Sequence, residues 1–291
     1  MSIFTGAGTA IVTPFLDGAV DYQALPKLIE RQIAGGTDAI IACGTTGESA
    51  TLSADEKLSV IAFAVKCVAG RVPVIAGTGG NNTAAVIAAS EAAQAAGADA
   101  LLIVTPYYNK TTQHGLVAHY AAVAERVSIP ILVYNVPSRT GLNVLPATMA
   151  ELLKLPNIVG IKEASGNIEQ IVNLAALCPD CDIYAGNDDH VVPMLSVGAK
   201  GVISTIGNVV PQEMHDMCAA FFAGDLVLAR QIQFRVMPIW KAAFCEVNPI
   251  PTKAMIEMLG LCSGELRLPL VPPAPESRKK IAQTLQSAGL L

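Results

Sequence analysis

Residues 100–134 read ALLIV TPYYNKTTQH GLVAHYAAVAER VSI PILVY, and this stretch contains the repeating unit of the chain. The runs Ala100–Val104 and Pro130–Tyr134 are short and mostly aliphatic, as buried parallel strands are. Between them, Gly115–Arg126 has the length and composition of a helix. A strand, a helix and a second strand in this order predict a parallel βαβ unit.

The same alternation occurs eight times along the chain. The predicted strands are Gly8–Val12, Ala39–Ala42, Val72–Ala76, Ala100–Val104, Pro130–Tyr134, Ile158–Ile161, Asp182–Tyr184 and Gly201–Ser204. The predicted helices are Asp21–Ala34, Ser53–Val68, Thr83–Ala96, Gly115–Arg126, Pro146–Leu153, Asn167–Leu177, Asp189–Val197 and Pro211–Ala223. Ser53 followed by Glu56 predicts a capping box, and Pro146 and Pro211 stand where helices begin.

Eight consecutive βα units with short connections predict an α/β fold of the (β/α)8 or TIM-barrel type, because a doubly wound sheet reverses its strand order around a nucleotide site. The glycine-rich segment Gly77–Asn81 lacks G-x-G-x-x-G spacing and favours a tight turn. Beyond Gly224 the strand pattern stops, and three helices remain, predicted at Asp225–Phe244, Pro251–Leu261 and Glu276–Ala288. We therefore predict a catalytic barrel over residues 1–224 and a C-terminal helical appendage over residues 225–291.

Composition excludes several classes of function. A formal net charge of -5 and a charged fraction of 15% in 291 residues argue against nucleic acid as a partner. The apolar stretch Ala84–Val104 is interrupted by Glu91, Gln94 and Asp99, which argues against a membrane span. The first residues lack the features of a secretory signal, so we expect a cytoplasmic protein.

The chain has seven cysteines, an odd number that fits reduced thiols better than a disulfide framework. Cys178 and Cys181 form a CxxC pair, but no second pair follows at zinc spacing. This pair favours a structural role.

Active residues of such a barrel lie at the carboxyl ends of its strands. Lys162 follows Ile158–Ile161 directly, and desolvation of a buried amine favours the neutral form that attacks a carbonyl. A structural ion pair with the neighbouring Glu163 is the alternative for this lysine. The polar residues that surround it in the predicted site favour the catalytic interpretation, and these are Thr45, Thr46, Tyr107, Tyr108, Tyr134, Asn135 and Gly186.

Two tyrosines near that amine, Tyr108 and Tyr134, are candidates for proton transfer during imine formation, with a threonine hydroxyl linking them. The segment Thr45–Gly47 offers hydroxyl and backbone N–H donors to a carboxylate. Arg139 is a candidate for a bidentate contact with a second carboxylate. Taken singly, the tyrosines also fit core positions, the threonines a simple turn, and Arg139 a surface salt bridge.

The cluster Asn187–His190 has the residue types of a metal site and raises the alternative of a metal-dependent aldolase. Four adjacent residues at a strand-to-helix junction do not readily converge on one ion, and Asp188 or Asp189 fits a helix cap. We expect no metal.

Four segments resemble a known family in type and order: Gly44–Glu48, Val104–Asn109, Tyr134–Gly141 and Gly160–Ser165. The chain resembles, along essentially its full length, the pyruvate-dependent Schiff-base class I aldolase superfamily and within it the dihydrodipicolinate synthase family. This resemblance implies a lyase that condenses pyruvate with L-aspartate 4-semialdehyde in diaminopimelate and lysine biosynthesis. It implies no external cofactor, because pyruvate itself forms the covalent imine on Lys162.

By the same resemblance, Thr45, Tyr134 and Tyr108 would form a proton relay, with Tyr108 supplied by a neighbouring subunit. Thr46 would bind the pyruvate carboxylate and Arg139 the carboxylate of the semialdehyde. Main-chain groups at Gly186 and Ile203 would complete the pyruvate pocket. A tight dimer is implied, commonly assembled into a homotetramer as a dimer of dimers.

Related enzymes that act on N-acetylneuraminate or 2-keto-3-deoxy sugar acids share the lysine and the tyrosine, so this function is an alternative. Arg139 favours the short amino-acid aldehyde. A non-catalytic barrel that serves as a binding protein is a further alternative. So is a phosphate-binding isomerase, for which Ser204–Asn208 is a weak match.

One departure from the resemblance concerns inhibition by lysine. Inhibited members carry an acidic residue at the position of Ala85, and some carry histidine at the position of Lys57. The chain keeps Ser49, Leu52, Asn81 and Tyr107 from that region. A cation beside a lysine effector disfavours its binding, so we expect weak inhibition or none.

Overall fold

The aliphatic runs of the sequence form a closed barrel of eight parallel strands in the computed structural model, which describes residues 2–291. A short hairpin lies between the first and second barrel strands. The strands are β1 (Gly6–Ala10), β2 (Phe15–Leu16), β3 (Ala19–Val20), β4 (Ala39–Ala42), β5 (Val74–Gly77), β6 (Ala100–Val104), β7 (Ile131–Asn135), β8 (Ile158–Glu163), β9 (Asp182–Ala185) and β10 (Gly201–Ser204). Strand β1 pairs with both β4 and β10, which closes the barrel and confirms the predicted fold class.

Helices follow the barrel strands, and α10 to α12 form the C-terminal region. They are α1 (Ala24–Ala34), α2 (Ala54–Val68), α3 (Thr83–Ala95), α4 (Gln113–Ala124), α5 (Pro137–Thr140), α6 (Pro146–Leu152), α7 (Ile168–Leu177), α8 (Val191–Ser196), α9 (Pro211–Phe222), α10 (Leu226–Ala243), α11 (Ile250–Met258) and α12 (Pro275–Ser287). The Ser53–Glu56 capping box forms as predicted, because each side chain accepts a hydrogen bond from the other residue's backbone N–H.

Two apolar clusters hold the barrel together. Alternate strand residues point inward and outward, so Ile41 lies in the barrel interior whereas Ile40 packs against the surrounding helices. Within the interior, the Phe4 and Tyr184 rings stack 4.3 Å apart, and the Tyr184 hydroxyl donates to the Phe4 carbonyl. The inner cluster extends from this stack to Tyr134, near the carboxyl end of β7.

Several predicted bounds differ from the structure. Strand β1 begins at Gly6 rather than Gly8, because the Asp38 carboxylate accepts from the Ala7 N–H and the Asp38 N–H donates back to the Ala7 carbonyl. The hairpin β2–β3 was not predicted. Its sequence signal is the dipeptide Asp17-Gly18, which is typical of tight hairpin turns. In the structure these two residues adopt positive φ angles of 53° and 80°, as such turns require.

The C-terminal helices pack onto the barrel rather than apart from it. Buried residues of α10, including Ile232, Val236 and Ile239, belong to the same apolar cluster as the outward-facing strand residues. The division at residue 224 therefore remains a prediction about the order of elements along the chain. No helix within residues 2–291 has the length and apolarity needed to cross a membrane.

Candidate active site

Lys162 and Tyr134 lie side by side inside the barrel. Strands β7 and β8 pair in a register that sets Tyr134 opposite Lys162. Lys162 is 5% exposed and Tyr134 is 7% exposed. The Lys162 Nζ lies 4.5 Å from the centroid of the tyrosine ring. This places a primary amine and a phenol in one buried region near the carboxyl ends of the strands.

Glu163 does not pair with Lys162, so the alternative of a structural ion pair between them is wrong. Successive strand residues face opposite sides of a sheet. The Glu163 carboxylate accepts from the Ser165 N–H at 2.6 Å and the Asn135 side-chain amide at 2.9 Å. Burial raises the pKa of Glu163, and these hydrogen bonds oppose the increase. No ion pair within residues 2–291 involves Lys162.

The Thr46 hydroxyl is held in a defined orientation. The Asn248 side-chain amide donates to Thr46 Oγ1 at 3.0 Å, and Thr205 Oγ1 lies 3.4 Å from the same oxygen. Because Thr46 Oγ1 accepts from the amide, its own proton can be donated either to Thr205 Oγ1 or to an acceptor such as a carboxylate. The Gly47 N–H donates to the Gly44 carbonyl within the turn, so it is not among the donors that a ligand meets.

Thr45 and Arg139 line a cavity of about 270 Å³ together with Val136, Tyr107 and Asn248. Arg139 lies on the short helix α5 that directly follows β7, and one of its guanidinium nitrogens donates to the Asn248 carbonyl at 3.1 Å. The Asn248 residue therefore contacts both predicted carboxylate-binding side chains, Thr46 and Arg139. Sequence reasoning missed it, because it lies in a proline-rich connection outside the barrel strands.

Tyr108 lies outside the buried region that holds Lys162 and Tyr134. Its side chain is 90% exposed, and its φ angle of 69° is uncommon for a residue with a side chain. Tyr107 is less exposed and lines the cavity with Thr45. Within residues 2–291 no hydrogen bond joins Tyr108 to Thr45 or Tyr134, so the three-residue relay is not assembled inside one chain.

Gly186 and Ile203 lie at the ends of β9 and β10. The Gly186 N–H donates to the Glu163 carbonyl at 2.8 Å, so this N–H is not among the donors that a ligand meets. A Cβ on Gly186 would lie 2.6 Å from the Ala164 Cβ, so the close approach of the two chain segments requires glycine. Ile203 is fully buried in the barrel interior with Tyr134.

The predicted helix cap at Asp188 or Asp189 is wrong. A 3-10 turn, Asp188–His190, precedes α8, and no side chain caps either element. The Asp188 carboxylate is instead buried and accepts from the N–H groups of Thr205 and Ile206, each at 3.1 Å. Burial raises the pKa of Asp188, whereas its hydrogen bonds and the nearby Lys162 lower it.

Two alternatives from the sequence, a phosphate-binding isomerase and a metal-dependent aldolase, depend on this part of the site. The N–H groups of Thr205 and Ile206 are bonded to Asp188, and that of Gly207 is bonded to Ser204 Oγ, so this loop offers a phosphate few free donors. In residues 2–291 no three His, Cys, Asp or Glu side chains group in a way that could hold a metal ion.

A buried lysine beside a tyrosine inside a (β/α)8 barrel, with hydroxyl and guanidinium groups at the same end, defines the class of lysine-dependent aldolases. The chain belongs to the dihydrodipicolinate synthetase family, whose model matches residues 3–288. This confirms the family resemblance that the four sequence segments indicate.

Individual relatives agree with this assignment. The chain is 53% identical over 291 residues to 4-hydroxy-tetrahydrodipicolinate synthase of Caldicellulosiruptor bescii, covering 100% of this chain and 99% of the relative. It is similar to the crystal structure of dihydrodipicolinate synthase from Aquifex aeolicus, with 45% identity, a TM-score of 0.97 and 99% of each chain covered. The chloride-inhibited enzyme from Acinetobacter baumannii, complexed with pyruvate, matches with 42% identity, a TM-score of 0.97 and 99% coverage of both chains.

Proposed function

We propose that this protein is a lyase that condenses pyruvate with L-aspartate 4-semialdehyde to give 4-hydroxy-tetrahydrodipicolinate, a precursor of diaminopimelate and lysine. The observation that carries the proposal is the buried Lys162 amine, which lies beside Tyr134 and has no carboxylate partner within residues 2–291. Two relatives that are 53% identical to the chain are named 4-hydroxy-tetrahydrodipicolinate synthase. These names favour the condensation over the cleavage of sugar acids.

The chemistry begins with attack of the Lys162 amine on the C2 carbonyl of pyruvate. Loss of water gives an imine, and loss of a methyl proton gives an enamine. The enamine carbon then adds to the aldehyde carbon of the semialdehyde, and the new alkoxide takes up a proton. The semialdehyde's amino group finally attacks C2, closes the ring and displaces Lys162. The lysine is thus regenerated, and no external cofactor is needed.

Three hydroxyl groups carry protons in this scheme. Tyr134 is adjacent to the amine and exchanges protons with the carbinolamine that precedes the imine. Thr45 lies in the cavity and links Tyr134 to Tyr108 of a second subunit. The exposed side chain of Tyr108 supports this assignment, because an isolated chain leaves its phenol in solvent.

Two carboxylates are bound at the mouth of the barrel. Thr46 donates its hydroxyl proton to the carboxylate of pyruvate, and main-chain groups at Gly186 and Ile203 complete that pocket. Arg139 binds the carboxylate of the semialdehyde through guanidinium nitrogens that its contact with Asn248 does not use. Both assignments rest on the shared contacts of Asn248, which bring the two side chains to one region.

The working form in this proposal is a dimer that exchanges Tyr108, assembled further into a homotetramer as a dimer of dimers. We place it in the cytoplasm, where pyruvate is formed. The free thiols support a reducing compartment, since Cys178 and Cys181 are both buried and unbridged.

The test is the intact mass of the protein after incubation with pyruvate and borohydride, followed by peptide mapping. We expect one reduced pyruvyl group on Lys162 and none in Lys162→Ala. Lys253 is an internal control, because it is also buried but its amine is paired with the Glu48 carboxylate. Absence of an adduct, or an adduct elsewhere, would contradict the proposal. Product formation from aspartate semialdehyde then tests the second substrate.

A further inference from the structure

The pair Glu48 and Lys253 is a buried charge pair that the chemistry above does not use. The Glu48 Oε1 and Lys253 Nζ atoms lie 2.5 Å apart, and both side chains are 0% exposed. Among the ion pairs within residues 2–291, this is the one in which both partners are fully buried. It joins the loop after β4 to helix α11 of the C-terminal region.

Further contacts fix both partners. The Lys253 Nζ donates to the Glu265 carbonyl at 2.7 Å and lies 4.0 Å from the centroid of the Phe15 ring. The other Glu48 oxygen accepts from the Arg267 N–H at 3.2 Å. Burial lowers the pKa of Lys253, but the adjacent Glu48 carboxylate raises it and favours the charged form. Because one of its oxygens lies beside Lys253 and the other accepts from Arg267, the Glu48 carboxylate has one defined position.

The Arg267 side chain extends this network toward the surface. Its guanidinium forms a two-point contact with the Glu56 carboxylate, at 2.8 and 2.6 Å, and donates to the carbonyls of Thr51 and Gly18. Glu56 belongs to the capping box of α2, so the C-terminal segment holds the loop between β4 and α2 at Glu48, in its middle, and at its α2 end.

This loop needs support from outside itself. Glu48 has a φ angle of 54°, which is a left-handed conformation that a side chain other than glycine adopts at an energetic cost. The turn is closed by hydrogen bonds from the Glu48 N–H to the Thr45 carbonyl and from the Thr51 N–H to the Glu48 carbonyl. A change in the Glu48 backbone would thus displace Thr45 and Thr46.

The C-terminal region contacts the loop at a second point, since Asn248, just before α11, donates to Thr46 Oγ1. Thr252 Oγ1, in turn, donates to Asn248 Oδ1 at 3.1 Å. Two contacts from one helical segment, to residues two positions apart in the loop, fix both its position and its rotation.

Net stability is a poor explanation for such a pair, because the cost of desolvating two charges offsets most of their attraction. Apolar side chains of similar size fill such a space with equal or greater stability. The effect that an ion pair adds is directional, since it holds the carboxylate at one point relative to the lysine.

We propose that Glu48 and Lys253 are positioning residues that set the orientation of the Thr46 hydroxyl, and thereby the affinity for the carboxylate of pyruvate. This inference rests on the proposed role of Thr46. The two residues contact no reacting atom, so their effect belongs to substrate binding rather than to proton transfer.

The decisive variant is the double substitution Glu48→Gln/Lys253→Met, which removes both charges and leaves neither unpaired. We expect its midpoint of thermal unfolding to stay close to that of the wild type. The KM for pyruvate should rise about tenfold, the size of effect of one misaligned hydrogen bond to a charged group. The KM for the semialdehyde should change less than about twofold, as expected when binding of the other substrate alone is weakened.

The single variants separate this role from a purely structural one. Glu48→Gln and Lys253→Met each leave one buried charge without its partner, so both should unfold at lower temperature than the double variant. If the pair has only a structural role, the double substitution should restore both the unfolding temperature and the KM for pyruvate to wild-type values. A wild-type KM for pyruvate in the double variant, or an equal rise in both KM values, would overturn the proposal.

A milder variant tests the positioning role if the double variant does not fold. Glu56→Gln breaks the Arg267 contact at the partly exposed end of the network and should raise the KM for pyruvate about threefold, a small loss of ground-state binding. Its matched control is Glu30→Gln, which breaks a similar two-point contact with Arg71 on the surface. Equal KM values in these two variants would refute the proposal.

Borohydride trapping at saturating pyruvate keeps the two proposals apart. The double variant should still form the adduct on Lys162, because only binding is weakened. Failure of the wild type to form that adduct would instead refute the proposed function itself.

Discussion

Lys162 pairs in register with a tyrosine on each side, and the two tyrosines use their hydroxyl groups differently. Tyr184, on β9, donates its hydroxyl proton to the Phe4 carbonyl at 2.7 Å. Tyr134, on β7, has no hydrogen-bond partner for its hydroxyl within residues 2–291. The phenol of Tyr134 is therefore free to exchange protons with a ligand bound at Lys162.

Replacement of Tyr134 by phenylalanine tests this difference. We expect Tyr134→Phe to lower kcat by about 10²–10⁴, the usual contribution of a positioned acid or base. The ring and its packing remain, so the unfolding temperature should change little. Stopped-flow measurement of imine formation should show the same slowing as kcat.

Tyr184→Phe is the matched control for this variant. It removes a phenol hydroxyl from the barrel interior but costs a structural hydrogen bond, about 1 kcal/mol of stability. Activity should stay near that of the wild type. Comparable activity losses in the two variants would argue against a specific role for Tyr134.

Tyr108 acts across a subunit interface in the proposed function, and mixed oligomers test this directly. We expect Lys162→Ala and Tyr108→Ala each to be nearly inactive. Subunits mixed after dissociation should regain activity, because a site with its own Lys162 then receives Tyr108 from the Lys162→Ala partner. The measurement is specific activity against mixing ratio, with a maximum near equal proportions.

The control for this experiment is a mixture of each variant with itself through the same dissociation step. If Tyr108 served its own chain, no mixture would contain a complete site, and activity would stay at the level of the single variants.

The pattern along the chain predicted most of the fold and the central part of the site. The strands that carry Lys162 and Tyr134 could be predicted from local sequence, because each residue lies at the carboxyl end of a buried, mostly aliphatic run. The position of Tyr108 is also visible in the sequence, but its exposure is not, because exposure depends on how distant segments pack around the residue.

The residues that the sequence did not reveal are those whose partners are distant along the chain. Asn248 contacts Thr46 across 202 residues, and nothing near either one indicates the contact. Asp188 looked like a helix cap because a cap is a local feature, but its carboxylate bonds to backbone groups that follow the neighbouring strand. Closure of the barrel, rather than local preference, decides such contacts.

Replacement of Arg139 should change the KM values of the two substrates by different amounts. We expect Arg139→Ala to raise the KM for aspartate semialdehyde about tenfold or more, because a charged hydrogen bond to its carboxylate is lost. The KM for pyruvate should be nearly unchanged. Arg126→Ala is the control, since Arg126 pairs with Glu91 on the surface. An increase confined to pyruvate would contradict the assignment of Arg139.

Lysine inhibition should be weak. Ala85 and Lys57 line one cavity of about 490 Å³ with Asp55, Asn81 and Tyr107. A lysine bound there would meet the Lys57 cation, and it would find no carboxylate at position 85. We expect full activity in low millimolar lysine, measured with saturating pyruvate. Ala85→Glu combined with Lys57→His should introduce sensitivity, because it supplies the carboxylate and removes the permanent cation. Steep inhibition of the wild type at low millimolar lysine would contradict this expectation.

The contact between Glu56 and Arg267 predicts how stability depends on acid. Hydrogen bonding to Arg267 lowers the pKa of Glu56 from 4.5 to about 2. A carboxyl whose pKa is lower in the folded protein contributes stability above its unfolded pKa and loses it as the pH falls toward the folded one. The contribution of Glu56 should therefore be complete above pH 4.5 and disappear as the pH approaches 2.

The unfolding temperature of the wild type and of Glu56→Gln, measured from pH 7 to pH 2.5, tests this dependence. We expect the difference between them to be largest at neutral pH and to shrink steadily below pH 4.5, because protonation makes the wild-type side chain as neutral as glutamine. Glu30→Gln serves as the exposed control, where the same type of contact is screened by solvent and should add little at any pH. A difference that stays constant with pH would show that Glu56 acts through its size or packing rather than its charge.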